Sequence, residues 1–232
     1  MAPVARAVHV DLLCAAQGMI KPLKPVKPAN KRGEGRSWVY RSVDPAYTQG
    51  RCREAYIKVQ KGYTCRTLWS LGRKIPTLKR EYRALKCLQR IGVCVPEVLE
   101  FHAEGDNARL VMTGVPDAMP LNEALETFPA HAEDILCHCA TVIRNMHSNG
   151  WNHGALYPDH IFVGPAPAYS ITLIDVEKAD RSPWHEHDLD RLLRYLHFQS
   201  PDLARWFTFC YETEVIDICG AGAIEQNGRQ LM

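Results

Sequence analysis

Residues 153–164 read HGALYPDHIFVG, and residues 173–179 read LIDVEKA. The first is a polar turn that runs into the short apolar, β-branched stretch Ile161–Val163. The second continues a strand-like piece, Ile171–Val176, that carries Asp175 near its end. Two such strands joined by a short connection make a hairpin, which brings His160 and Asp175 together. A carboxylate beside an imidazole can ligate a divalent ion that holds phosphate groups. A lone Asp after an apolar strand is commonly just a turn residue. The pairing therefore carries the reading, not either member.

Upstream of this hairpin lie the other parts that phosphoryl transfer from a nucleotide needs: a lysine for the phosphates and an acid to orient it. Lys58 sits in the strand-like run AYIKVQ, 55–60, where alternation puts Tyr56, Lys58 and Gln60 on one face and Ala55, Ile57 and Val59 on the other. Alone, it reads more simply as an exposed strand position. The segment Thr77–Arg90 has Leu78, Tyr82, Leu85 and Leu88 at helical spacing, with Gly92 ending it and Pro96 barring continuation. Glu81 falls on or beside the apolar face of that helix, where an unpaired carboxylate is costly. A pair with Lys58 removes the cost.

The remaining elements fall into order around these. Trp38–Val43 and Ala55–Gln60 read as a hairpin about Gly50, Glu97–His102 and Arg109–Thr113 as two further strands, and GVPDAMP, 114–120, as a hinge or loop. A helix over His131–His147 has one apolar face and stops at Asn149-Gly150, and Asp188–Phe198 and Pro201–Tyr211 read as closing helices. The fold class is α+β, expected as two lobes: a small β-rich lobe over 37–113 and a compact, mainly helical lobe over 114–232, after an N-terminal segment, 1–36.

Part of that segment, KPLKPVKPANKRGEGR at 21–36, holds three prolines, two glycines and six basic side chains against one acid, which predicts an extended linker or arm. Its charge suits peripheral contact with an anionic membrane surface, although most such runs are simply solvated. The net charge of +2 gives no reason to expect nucleic acid as a partner. Nine scattered cysteines, an odd number, with no secretion signal read as reduced cytosolic thiols. No stretch approaches the roughly 18 apolar residues of a membrane span. The expected location is cytoplasmic, with peripheral attachment to the inner membrane face as an extension of the same charge argument.

Taken together, RGEGRS at 32–37, AYIKVQ, REYRALKCLQRIGVCVPEV at 80–98, HGALYPDHIF, LIDVEK and HDLDRLLRYL at 187–196 resemble the lipopolysaccharide kinase (Kdo/WaaP) family, in particular its InaA-like branch, over roughly residues 32–212. The resemblance implies a protein-kinase-like fold that uses ATP and Mg²⁺. It implies that Lys58 holds the α- and β-phosphates with Glu81 as its helix partner, that His160 and Asp175 hold the metal, and that His153 anchors the catalytic loop. Gly33 and Gly35 would belong to a phosphate-covering loop, with Tyr56 and Thr113 among the nucleotide contacts. Asp188 would hold the catalytic loop's backbone, against an equally good reading as a helix N-cap.

One position departs from ordinary kinases. The second residue after the catalytic-loop histidine, normally the aspartate that takes the substrate's proton, is Ala155. Asp159 is the available substitute, against a plain reading as a solvated loop residue. Tyr56 stands where kinases carry a small residue against adenine, so it either stacks on the base or blocks its pocket. No long activation segment or APE-like motif follows Asp175, which favours a sugar over a peptide acceptor. The leading expectation is ATP-dependent phosphoryl transfer to lipopolysaccharide core or a related glycoside. The competing one is a pseudokinase that binds nucleotide or a partner in a stress response. A metal site at Cys137-His138-Cys139 or His185-Glu186-His187 ranks below both, because adjacent helical residues diverge by about 100°. No G-x-S-x-G turn supports a hydrolase.

Overall fold

The protein is described from a computed structural model covering residues 23, 25–26, 28–66 and 70–213. The N-terminal part is a five-stranded antiparallel sheet in the order β1 (Asn30–Arg32), β2 (Gly35–Ser42), β3 (Ala55–Lys61), β7 (Asn107–Thr113), β6 (Val98–Glu104). β1 lies inside the segment expected to be a linker. The extended backbone that prolines enforce there is also strand geometry: Pro25 bridges to Tyr40, the Val26 N–H donates to Val39 O at 2.8 Å, and a turn at Gly33 (φ +56°) folds β1 onto β2. Residues 1–20 of the N-terminal segment, and Lys21, Pro22, Lys24 and Lys27 of the expected arm, lie outside the described residues.

Alternation along β3 decides both faces of the sheet. Ala55, Ile57 and Val59 are buried at 0–1% exposure on one face, where Tyr40, Val111 and Tyr47 complete a small cluster. Tyr47 comes from a one-turn helix, α1 (Pro45–Thr48), capped by the Asp44 carboxylate accepting from the Ala46 N–H at 2.9 Å. The opposite face of β3 presents Tyr56, Lys58 and Gln60 toward α2 (Thr77–Arg90), which a short ribbon, β4 (Thr64–Arg66) with β5 (Lys74–Pro76), leads into. Helix α2 has no side-chain cap of its own. Instead the Gln60 amide oxygen, fully buried, accepts the Leu78 N–H at 2.9 Å. One of the orphan N–H groups of a buried helix start is thereby satisfied from the strand.

Beyond β7 the chain runs through β8 (Met119–Pro120), α3 (Leu121–Thr127), α4 (Ala132–Ser148), β9 (Trp151–Asn152), β10 (Ile161–Val163), β11 (Ile171–Leu173), β12 (Asp180–Arg181), α5 (Glu186–Gln199) and α6 (Pro201–Glu212). β8, β10 and β11 form a second small sheet, so the end of the expected 114–120 hinge is in fact paired. The apolar face of α4 (Ile135, Leu136, Cys139, Ile143 and Met146, all at 0% exposure) packs against α6 through Phe207 and Cys210. Full burial of five such side chains contributes roughly 1.5–3 kcal/mol each before entropy is counted. Cys139 is one of them, so it faces core rather than any ligand. Among the described residues, neither Cys137-His138-Cys139 nor His185-Glu186-His187 forms a metal-sized cluster. Also among them, no helix is long and apolar enough to cross a membrane.

Candidate active site

Lys58 reaches its partner because two periods match. Lys58 and Gln60 are two apart on a strand, Leu78 and Glu81 three apart on a helix, and the Gln60–Leu78 hydrogen bond fixes the register between them. Lys58 Nζ then lies 2.6 Å from Glu81 Oε1 and 3.0 Å from Asp175 Oδ1. Glu81 is 1% exposed. Burial pulls the Lys58 ammonium down, but the two carboxylates outweigh it and hold it above the usual lysine range. Burial pushes Glu81 up to about 7 against the pull of Lys58. Its second oxygen, Oε2, is buried with no hydrogen-bond partner.

Asp175 comes to this point through a backbone feature. It adopts left-handed φ 56°, ψ 46°, which ends β11 at Leu173 rather than at the expected Val176 and begins a 3₁₀ turn, Val176–Lys178. Aspartate tolerates this conformation better than β-branched residues do. Arg80 of α2 hydrogen-bonds the Lys178 carbonyl, tying the turn to the helix that carries Glu81.

His160 completes the group. Its Nδ1 lies 2.8 Å from the Ala155 carbonyl, which places the proton on that nitrogen in the neutral ring. The lone pair of Nε2 then faces Asp175 Oδ2 across 3.7 Å. Two acceptors turned toward each other are a natural seat for a cation.

The loop that leads to His160 is held by buried polar contacts. His153 is fully buried and donates from Nε2 to the Ile174 carbonyl at 2.9 Å, while Nδ1 has no partner. Burial accordingly pulls its pKa down to about 4. Asp188, 2% exposed, accepts from the His153 N–H at 2.6 Å and the Gly154 N–H at 3.0 Å. These bonds, with the His147 ring nearby, hold its carboxyl below the usual range although burial opposes them. Helix α5 begins two residues earlier, so Asp188 holds the loop and is not an N-cap. Gly154 (φ +74°) is required: a Cβ there would meet the Lys178 carbonyl at 2.5 Å.

Lys58, Glu81, His160 and Asp175 share one cavity of about 390 Å³ between the sheet and the second small sheet, whereas His153 and Asp188 do not line it. Val39, Tyr56, Met112, Thr113 and Gly114 line it from the five-stranded sheet and the chain that follows it, and Phe162 and Ile174 from the second sheet. Tyr56 thus lines the cavity without filling it, and Thr113 Oγ1 accepts from the Glu97 N–H at 3.0 Å. Gly33 and Gly35 sit at the β1–β2 turn and are not among the residues lining the cavity. Gly35 packs under the Gly62 carbonyl, where a Cβ would lie at 2.5 Å. Asp159 is exposed on the 3₁₀ turn Pro158–His160 and does not line the cavity; Ala155 is 5% exposed. Glu177, by contrast, lines it and was missed by the sequence reading. Its signal was available: it stands two residues after Asp175 in the very segment quoted first.

Comparison with known proteins bears on the family and the fold. The model of the lipopolysaccharide kinase (Kdo/WaaP) family matches residues 17–211. Protein InaA of Escherichia coli (strain K12) is 28% identical over 137 residues, which is 52% of this chain and 62% of that relative, less than two thirds of its length. Among solved structures, an aminoglycoside-3'-phosphotransferase of type VIII superposes with a TM-score of 0.57 at 18% identity, covering 87% of this chain and 90% of that one. That likeness establishes the protein-kinase-like α+β fold. The chain belongs to the lipopolysaccharide kinase (Kdo/WaaP) family.

Proposed function

We propose that this protein transfers the γ-phosphoryl group of ATP, bound with Mg²⁺, to a sugar hydroxyl, with lipopolysaccharide core or a related glycoside as the acceptor class. The observation that carries the proposal is the convergence of Lys58, Glu81, His160 and Asp175 on one cavity. Lys58 offsets phosphate charge and Glu81 fixes its position. His160 and Asp175 would hold the metal, which neutralises charge developing on the phosphoryl oxygens. His153 and Asp188 keep the loop that carries His160 in place. The two lobes would be 37–113 and 114–232, with the basic segment 21–36 touching anionic headgroups at the inner membrane face.

No carboxylate stands at position 155. General-base assistance typically supplies about 10²–10⁴-fold, whereas phosphoryl transfer depends mainly on positioning and charge. A slow enzyme is therefore compatible with alanine there. Asp159 would have to act through a water or through movement of its turn. If Asp159 or a substrate group serves as base, Ala155→Asp changes the rate little; a large gain sinks that idea.

The buried Ala155 favours a second reading, a pseudokinase that binds nucleotide or a partner without turnover. One series separates the two. Thermal unfolding is followed with ATP, with and without Mg²⁺, for the wild type, Lys58→Met and Asp175→Asn. Ligand at 100 times its dissociation constant adds about 2.7 kcal/mol. A Mg²⁺-dependent shift lost in both variants supports the nucleotide site. Labelled phosphate is then followed onto core oligosaccharide: transfer abolished by Lys58→Met rules out the pseudokinase, and no transfer to any sugar acceptor rules out the kinase.

A further inference from the structure

Tyr157 is 44% exposed and directly precedes the 3₁₀ turn that ends in His160. Single exposed rings are common on protein surfaces and need no explanation, but this one is held from several sides. Its ring meets the His160 ring edge to face, with centroids 5.7 Å apart, and His160 lines the cleft. The Arg191 guanidinium lies over it, 5.8 Å from the centroid, and is itself fixed by donating to the Gly154 carbonyl at 3.0 Å beside Asp188. The backbone is closed as well: the Tyr157 N–H donates to the Ala155 carbonyl, and the His160 N–H donates to the Tyr157 carbonyl, both at 2.9 Å. An aromatic surface fixed in this way loses little freedom when it binds. Trp184, Phe198 and Phe209 are also exposed, but among the described residues none of them lines the cleft or stacks on a ring that does.

We infer that Tyr157 is the platform for the acceptor: a sugar ring lays its apolar C–H face on the exposed part of the aromatic ring, beside His160. The inference rests on the reading of the cleft as a phosphoryl-transfer site with a sugar acceptor, and it names the residue that places that acceptor. Tyr157 does not line the cavity that Lys58 and Asp175 share, so a sugar stacked on it leaves the nucleotide its room. The face of an aromatic ring carries negative charge and attracts the positive edges of C–H groups. An anionic group is less well matched, because Arg191 is already engaged by the Gly154 carbonyl, Asp188 and the ring. The class of ligand is therefore an uncharged pyranose face. Ala155 can neither hold nor deprotonate a hydroxyl, and stacking on Tyr157 supplies the orientation that the missing carboxylate does not.

The test is calorimetric titration of a deacylated core oligosaccharide into the full chain in the presence of Mg²⁺ and ADP, a measurement that needs no turnover. The expected result is binding weakened about tenfold or more by Tyr157→Ala and kept within about twofold by Tyr157→Phe and Tyr157→Trp, because the ring face and not the hydroxyl makes the contact. ADP affinity, titrated separately, is the same in all three variants. Phe198→Ala removes another exposed ring, on α5, and changes neither affinity. Circular-dichroism melting verifies that each variant is folded. Sugar binding unchanged in Tyr157→Ala overturns the inference and leaves the acceptor class standing. A parallel loss of ADP affinity also overturns it, being the mark of a residue that only braces the loop, and so does a loss in Tyr157→Phe as large as in Tyr157→Ala. No oligosaccharide bound by the wild type overturns the acceptor class and this inference together. Sugar bound through Tyr157 but never phosphorylated refutes the transfer and leaves the platform standing.

Discussion

Replacing Lys58 by methionine removes the one cation that pairs with Glu81 among the described residues, and the structure indicates what that costs. Glu81 is 1% exposed and accepts from Lys58 Nζ at 2.6 Å. Breaking a buried pair by deleting one partner typically costs about 3–5 kcal/mol, because the other charge stays buried. The second contact matters less: the Asp175 side chain is 41% exposed, so solvent screens it and its share is about 1 kcal/mol at most. The size of the effect depends on pH. Glu81 already sits at about 7 in the folded state, above the ordinary 4.5. For a group raised on folding, the stability contribution is complete below the unfolded value and lost as pH rises through the folded one. Without Lys58 the carboxyl rises further, and each additional unit adds about 1.4 kcal/mol of destabilisation at alkaline pH. Urea unfolding near pH 6 and near pH 9 at constant ionic strength should therefore show Lys58→Met only mildly weakened at the lower pH and weakened by about 3–5 kcal/mol at the higher. Lys58→Met with Glu81→Leu should recover to within roughly 1 kcal/mol of wild type, since an apolar pair replaces a buried ion pair at little cost. Equal stability of Lys58→Met and wild type near pH 9, or a double variant no better than the single, would refute the reasoning.

Other outcomes follow from the loop beneath the cleft. Asp188→Ala strands the N–H groups of His153 and Gly154, about 1–3 kcal/mol each, and should lower the urea midpoint accordingly. Gly154→Ala combines a left-handed φ with a contact at 2.5 Å to the Lys178 carbonyl, and should cost about 3 kcal/mol with a loss of any ATP-dependent thermal shift. His153 is held at about 4 against 6.5 when unfolded, so its contribution is present above the unfolded value and drains away as pH falls through the folded one. That drop, roughly 3 kcal/mol, should shrink in His153→Asn when stability is plotted from neutral pH down to acid.

Parts of this molecule were legible in the sequence because local and tertiary demands coincide there. Thr77–Arg90 carries its apolar stripe, its breaker Gly92 and its stop at Pro96, and the observed helix has those limits. The alternation around Lys58 likewise placed it opposite the helix that bears Glu81. Where the sequence reading failed, something non-local decided. Nothing within KPLKPVKPANKR announces that β2 offers a free edge for it to pair with. Helix α3, Leu121–Thr127, is seven residues long, too short for a periodic pattern to stand out from a loop. Ile171–Val176 looked like one strand because periodicity does not see that Asp175 turns left-handed. Glu177 escaped because its company, Glu81, comes from nearly a hundred residues away and only the fold brings them together.

The amide of Gln60 has a consequence for control. By holding the first turn of α2, it ties the helix that carries Glu81 to the strand that carries Lys58. Kinases that are switched by displacing this helix depend on the lysine and glutamate coming apart. Here the same displacement would strip a fully buried amide of its partner and leave the helix start bare. The lysine–glutamate couple is thus assembled as soon as the chain folds. An off state made by swinging the helix outward is disfavoured from within.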